Sequence, residues 1–156
     1  MANVDLRPDV DLRPKPDAAL LCGALATSAG YLLPWFKKGS SYEWSYSGWG
    51  YATLSNGGGW TLVTFAWLAV AIVASLWAGR SVAAAMWGVV GGVGAAVFAL
   101  ATVAASFSTV PERDSLNYVT ELPLGIGLPI LAGGLGLLLA GGIRAIALRA
   151  SARAGA

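Results

Sequence analysis

Four long stretches without Asp, Glu, Lys, Arg or His constrain the fold more than any other feature of this chain. They cover residues 18–36, 60–79, 81–110 and 122–143. A helix rises 1.5 Å per residue, so about 20 apolar residues cross the hydrocarbon core of a bilayer. Only 12% of the residues are charged, about half the share that is usual in soluble domains. We therefore predict an all-α membrane protein, built as a bundle of four transmembrane helices.

The basic residues are unevenly divided between the two sides of such a bundle. Seven belong to the N-terminal segment, the turn after the second stretch and the C-terminal segment: Arg7, Arg13, Lys15, Arg80, Arg144, Arg149 and Arg153. Three belong to the two longer loops, 37–59 and 111–121: Lys37, Lys38 and Arg113. Cytoplasmic segments beside membrane helices carry the excess of Lys and Arg. We expect a multi-pass protein of the bacterial plasma membrane with both termini in the cytoplasm and both longer loops outside.

The two predicted cytoplasmic ends differ in composition. Residues 1–17 repeat the unit Val-Asp-Leu-Arg-Pro at 4–8 and 10–14, and their prolines prevent a regular helix. This pattern indicates a disordered or extended tail. The alternative is a docking peptide that folds on a partner, with Leu6, Arg7, Leu12 and Arg13 filling two similar pockets. Residues 144–156 form a basic tail without acidic residues, which suits a short helix beside anionic lipid.

Small residues at every fourth position predict how the helices pack. Lipid tails are as apolar as leucine, so association of membrane helices depends on close approach through small side chains. The residues that we expect at helix contacts are Cys22, Ala26 and Gly30 in the first stretch, Gly88 and Gly92 in the third, and Ala132 and Gly136 in the fourth. The Gly88 and Gly92 pair could join two copies of the chain, but we favour a contact within one bundle. Pro129 is expected to bend the fourth helix.

Aromatic residues alternate with small or polar residues in the loop 37–59. They are Tyr42, Trp44, Tyr46, Trp49 and Tyr51. Aromatics at a period of two favour β-strands, so we predict a small extracytoplasmic β-hairpin that turns near residues 47–48. The rings could form a belt at the depth of the lipid headgroups or a surface that binds a partner protein. A platform for carbohydrate or lipid headgroups is the third possibility.

Residue types that support catalysis are scarce. The chain has no histidine and one cysteine, Cys22. Ion paths, proton relays and substrate sites in membranes usually carry an ionisable residue, and the four apolar stretches have none. The sequence contains no nucleophile–base pair, no metal-ligand cluster and no phosphate-binding loop. We expect no enzymatic activity, no cofactor or metal, and no nucleic-acid partner at a net charge of +2.

The predicted arrangement resembles two groups of membrane proteins. Four helices with a β-structured loop after the first resemble the claudin-like tetraspan arrangement, and Trp44 and the pair Gly48-Trp49 are similar to the tryptophan and Gly-Leu-Trp elements of that family's loop. The chain lacks the cysteine pair of that loop. The sequences Leu-Pro-Trp-Phe at 33–36 and Ser-Gly-Trp-Gly at 47–50 look like those of small uncharacterised four-helix proteins of alanine-rich actinobacteria. That resemblance covers about residues 18–143 and implies a fold without an activity.

These features favour a non-enzymatic accessory or scaffold subunit of a larger membrane complex. Its contacts with other membrane proteins would use the small-residue helix faces, the aromatic loop and the repeated N-terminal tail. Formation of homo-oligomers is compatible with the same surfaces. The alternative is a self-assembling pore, channel or small-solute transporter, built around Gly88 and Gly92 or around the bent fourth helix.

Overall fold

The computed structural model describes residues 13–36, 47–53, 58–108 and 124–154. Its helices are α1 (Ala18–Leu32), α2 (Gly48–Ala52), a 3₁₀ helix (Gly58–Leu62) that leads into α3 (Val63–Trp77), α4 (Val82–Ser108) and α5 (Gly127–Ala154). The described residues form no strand, and the all-α prediction is confirmed. Three helical stretches are long and apolar enough to cross a membrane: Gly59–Trp77, Val82–Ser106 and Gly127–Ala152. The fourth apolar helix, α1, is shorter, with 15 residues.

Prolines explain why two helices depart from their predicted bounds. The residue before a proline avoids helical backbone angles, and Leu33, which precedes Pro34, is extended, so α1 ends at Leu32 and not at residue 36. Helix α5 begins at Gly127 and not at residue 122. Pro129 therefore lies in its first turn, where the missing N–H has no helical partner to lose. Pro129 is the third residue of a helix that runs unbroken to Ala154, so the expected bend is wrong. At its other end α5 continues through Ile143 to Ala154.

The predicted second strand of the hairpin is also wrong. Residues Gly48–Ala52 form α2, a short helix capped by Ser47, whose Oγ accepts a hydrogen bond from the backbone N–H of Gly50 at 3.0 Å. A serine at this position satisfies an amide that the first helical turn leaves unpaired, and this local bond outweighs the alternation of aromatic residues. The predicted first strand, with Tyr42, Trp44 and Tyr46, lies outside the described residues.

Helices α1 and α5 run antiparallel with their backbones almost in contact. A Cβ atom on Gly23 would lie 2.6 Å from Cα of Leu138, and one on Gly30 would lie 2.6 Å from Cα of Leu131. From the side of α5, a Cβ on Gly134 would lie 2.8 Å from Cα of Thr27. Real Cβ atoms do not approach backbone so closely, so this pair of helices requires glycine at all three positions.

Helices α3 and α4 form the second close pair. A Cβ on Gly91 would lie 2.8 Å from the backbone nitrogen of Ala71, and one on Gly94 would lie 2.7 Å from Cε3 of Trp67. Leu138 of α5 packs over Gly92 and joins Ala24 and Ala71 in a buried cluster. The two pairs are thereby joined into one bundle.

Backbone hydrogen bonds fix which segments meet at each end of the bundle. At one end the amide of Asp17 donates to the carbonyl of Ser75 at 3.0 Å, and that of Gly79 donates to the carbonyl of Lys15 at 2.9 Å. At the opposite end the amide of Gly125 donates to the carbonyl of Trp35 at 2.7 Å. The segment before α1 and the α3–α4 turn therefore lie at one end of the bundle, and a hydrogen bond from Arg149 to the carbonyl of Gly79 places the last turns of α5 there as well.

Candidate interaction surfaces

Polarity is inverted in this bundle relative to a soluble protein. Among the described residues, six serine and threonine side chains are completely buried: Thr27, Thr61, Thr64, Ser75, Thr102 and Ser106. Large apolar side chains instead lie on the outside, among them Val97, Leu100 and Ile143, which are 58%, 64% and 62% exposed. In the described part of the chain, no buried side-chain nitrogen or oxygen lacks a hydrogen-bond partner. An apolar exterior around satisfied polar groups fits lipid as the solvent.

The largest polar cluster lies around the hydroxyl of Tyr31, at the end of the bundle that carries α2. This hydroxyl donates to the carbonyl of Thr61 at 3.0 Å and accepts from Oγ1 of Thr64 at 3.1 Å. It also lies 3.2 Å from Oγ1 of Thr102, which donates its own hydrogen to the carbonyl of Phe98 at 2.7 Å. One buried phenol thus connects α1, the 3₁₀ helix, α3 and α4.

Helix α2 rests directly on this cluster. Gly48 packs against the ring of Tyr31 so closely that a Cβ atom would overlap the ring, and its carbonyl accepts a hydrogen bond from Oγ1 of Thr61 at 3.4 Å. Phe65 contacts Tyr31 edge to face with ring centroids 5.1 Å apart, and Trp49 contacts Phe65 at 6.4 Å. Trp49 is 56% exposed. A continuous row of rings therefore leads from the core to the surface at Trp49.

The five aromatic residues predicted to bind a partner have different environments. Trp49 is exposed and Tyr51 is half-buried, whereas Tyr42, Trp44 and Tyr46 lie outside the described residues. Sequence reasoning missed the buried role of Trp35, which is 0% exposed. Its indole N–H donates to the carbonyl of Gly30 at 3.2 Å, a carbonyl in the last turn of α1, where helical partners run out. A tryptophan directly after a helix-ending proline is the signal that could have indicated it.

The predicted packing glycines of α1 and α4 lie inside the bundle. Gly30 contacts α5, Gly88 packs against the side chain of Leu20, and Gly92 packs against that of Leu138. The preference for a contact within the bundle at Gly88 and Gly92 agrees with this geometry. Cys22 is exposed and Ala26 is half-buried. The face of α1 that contacts α5 is therefore rotated from the predicted one.

The predicted packing residues of α5 lie on its outside. Ala132 and Gly136 are exposed, as are Gly133 and Ala140, and we call these four residues the open α5 face. A Cβ atom on Gly133 or on Gly136 would meet nothing within 4 Å. By contrast, Gly134 is buried against α1. Spacing alone could not distinguish the two sides, because small residues occur on both.

Basic residues cluster at the end of the bundle where the chain segments 13–17 and 145–149 meet the α3–α4 turn. The guanidinium of Arg149 donates to the carbonyl of Gly79, beside the bond from Gly79 to Lys15. Of the predicted N-terminal docking residues, Arg13 is described and exposed, and Leu6, Arg7 and Leu12 lie outside the described residues.

The described ranges contain no group of three His, Cys, Asp or Glu residues that could hold a metal ion.

No protein-family model matches the chain, and no curated protein and no solved structure matches it. The resemblances to claudin-like and to actinobacterial membrane proteins stay predictions.

Proposed function

We propose that the chain is a non-enzymatic integral membrane protein that serves as an accessory or scaffold subunit of a larger membrane complex. The observation that carries the proposal is the open α5 face. It combines two exposed glycines, Gly133 and Gly136, with two exposed alanines on a long apolar helix.

Tryptophans at the ends of one helix support insertion in a bilayer. Trp60 and Trp77 are 40% and 41% exposed. Trp60 is the third residue of the 3₁₀ helix, and Trp77 is the last residue of α3, which continues from it. Their separation along the helix is about 25 Å, close to the thickness of the hydrocarbon core. Tryptophan is enriched at both membrane interfaces. We therefore assign α3, α4 and α5 as spans.

Helix α1 is assigned as the fourth span because of its position beside α5. Its contacts with α5 extend from Leu131 to Gly141, well inside the apolar stretch Gly127–Ala152. A helix packed along that length lies in the same layer as α5. The 15 residues of α1 reach about 22 Å, and the extended residues after it continue towards the outer surface.

The distribution of charge supports the cytoplasmic assignment of both termini. The end of the bundle with Trp77 also carries Lys15, Arg80 and Arg149, which come from three separate segments. Lys and Arg favour the cytoplasmic side of membrane proteins. Helix α2 and the exposed ring of Trp49 then face the exterior.

The open α5 face is suited to another membrane helix. Glycine inside a helix costs about 0.5–1 kcal/mol relative to alanine. At Gly134 this cost is offset by the close approach of α1, but nothing in the described chain approaches Gly133 or Gly136. Small residues on membrane helices let a second backbone come close. We infer that a helix of a partner protein covers this face, with Trp49 offering a second contact outside the membrane.

Purification from a mild detergent tests the proposal directly. We expect the wild-type chain to co-purify with a membrane protein, and Gly136→Leu to remove that protein while the chain itself stays folded. Ala101→Leu is the control, because Ala101 is exposed on α4 and receives the same leucine side chain away from the open α5 face. A wild-type chain that migrates alone as a monomer would contradict the proposal.

The two sequence features that suggested a pore do not support it in this structure. Gly88 and Gly92 face leucines of the same chain, and Pro129 lies in the first turn of α5. No described residue favours an ion or solute path over the scaffold role. Flux of ions or solutes through reconstituted vesicles would be the measurement that restores the alternative.

A further inference from the structure

Three separate segments of the chain meet at Gly79, in the α3–α4 turn. Its amide donates to the carbonyl of Lys15, and its carbonyl accepts from the guanidinium of Arg149. A Cβ atom on Gly79 would lie 2.9 Å from Cγ of Lys15. The next residue in the turn is Arg80. Lys15, Arg80 and Arg149 are therefore held together around one peptide unit, and we call them the basic corner.

Among the residues that the structure describes, basic side chains outnumber acidic ones around the basic corner. Among the described residues the single acidic one is Asp17, and its carboxylate accepts a hydrogen bond from the amide of Leu20 at 3.2 Å, where it caps α1. Arg13, two residues before Lys15, is exposed as well. A guanidinium has five N–H donors in a fixed fork, and the bond to Gly79 engages one nitrogen of Arg149.

The position of Trp77 supports a location of the basic corner at the depth of lipid headgroups. Trp77 is 41% exposed and precedes Gly79 by two residues, so the corner lies just beyond the indole that marks the membrane interface. Clusters of Lys and Arg at the cytoplasmic end of membrane helices attract anionic lipids. Arginine binds phosphate oxygens through two parallel N–H groups, and lysine adds a mobile point charge.

We propose that the basic corner is a binding site for the headgroup phosphate of an anionic phospholipid. The proposal is independent of the open α5 face, which lies on lipid-facing helix surface, and it rests only on insertion of the bundle in a membrane. The lipid would join the N-terminal segment, the α3–α4 turn and α5 through one ligand. It would thereby strengthen the contact that the Gly79 peptide already makes.

Lipid retention measured by native mass spectrometry tests the site. The full chain is reconstituted in phosphatidylcholine nanodiscs with and without phosphatidylglycerol. We expect preferential retention of phosphatidylglycerol, and a loss of about fivefold in its affinity for Lys15→Gln, since one basic residue near a membrane contributes about that factor. Lys15 makes its bond to Gly79 through its backbone, so this variant leaves the fold intact. Arg149→Gln should lose at least as much, and Arg149→Lys should keep part of the affinity.

Arg144→Gln is the matched control, because it removes the same charge from an exposed position of α5 outside the corner. Equal losses for Arg144→Gln and Lys15→Gln would overturn the site in favour of a general charge effect. Equal retention of both lipids by the wild type would also overturn it, as would displacement of phosphatidylglycerol by inorganic phosphate. Failure of the chain to enter phosphatidylcholine nanodiscs is a separate result, which would contradict membrane insertion itself.

Discussion

Glycines occur on both sides of α5, but the two sides have opposite surroundings. Gly134 faces α1, where its missing side chain makes room for the backbone at Thr27. Gly136, two residues later, lies on the other side of the helix with nothing within 4 Å of the position of its Cβ. Packing against α1 thus explains the glycine at residue 134, whereas the glycine at residue 136 has no neighbour that explains it. We propose that the open side is the one that a partner helix covers.

The largest effect is expected at the covered side. Gly134→Ala places a Cβ atom 2.8 Å from both the carbonyl carbon of Ala26 and Cα of Thr27. These are backbone atoms, so no rotamer change relieves the overlap and the two helices must separate. We expect a loss of about 3 kcal/mol in the free energy of unfolding, measured by titration with a denaturing detergent. A loss below about 1 kcal/mol would mean that α1 and α5 are not in close contact.

The next effect concerns the other side of α1, which contacts α3 and α4 through hydrogen bonds. Tyr31→Phe removes the acceptor for the hydroxyl of Thr64 and the donor to the carbonyl of Thr61. Leaving a buried polar group unpaired costs about 1–2 kcal/mol, and hydrogen bonds between membrane helices reach about the same value at most. We expect a loss of that size in the free energy of unfolding.

A double-mutant cycle separates the hydrogen bond from the shape of the ring. Thr64→Val removes the unpaired hydroxyl, so Tyr31→Phe should cost less in that background than in the wild type. Strictly additive losses would show that the two hydroxyls do not interact. A coupling energy between the two hydroxyls that is smaller than the loss for Gly134→Ala would indicate that close approach stabilises α1 more than this hydrogen bond does.

A smaller loss in the free energy of unfolding is expected at Gly141, where α1 and α5 are further apart. Gly141 also faces α1, but a Cβ atom there would lie 3.0 Å from the backbone nitrogen of Leu20 and 3.2 Å from Cβ of Ala19. A shift of a few tenths of an ångström accommodates it. Gly141→Ala should therefore lower the free energy of unfolding by about 1 kcal/mol, in the same detergent titration. A loss equal to that of Gly134→Ala would contradict the graded distances along α5.

The sequence predicted the helices more reliably than their faces. Long uncharged stretches are a strong signal, because one charge in lipid is costly, and the all-α fold followed from them. Helix faces were harder, because Gly and Ala recur on both sides of α5. Ala132 and Gly136, four residues apart, match the packing pattern as well as Gly134 and Gly141, seven residues apart, on the covered side. Which stripe is covered depends on the rotation of α5 against α1, and spacing does not specify it.

The candidate surfaces were predicted only in part. Alternating aromatics suggested strands at residues 49–51, but the capping bond of Ser47 and the fit of Gly48 on Tyr31 produce a helix. The capping bond is local, and the fit on Tyr31 is a contact between distant parts of the chain, so the pattern of aromatic residues indicates neither. The sequence likewise did not indicate that the residues of the basic corner lie together. Its three residues belong to segments more than 60 residues apart and meet only at the Gly79 peptide.

The smallest effect on the isolated chain, and the sharpest contrast, is expected at Gly136. Gly136→Ala adds a methyl group to open space and removes the flexibility of glycine, so the free energy of unfolding should stay equal or rise by up to about 1 kcal/mol. The same methyl group should weaken retention of the partner, because the partner's backbone needs that space. Gly134→Ala is the matched variant, because it makes the same substitution in the same helix on the opposite side. If Gly136→Ala instead destabilises the purified monomer as Gly134→Ala does, then the open α5 face is covered by this chain itself, and the partner surface must be sought at Trp49.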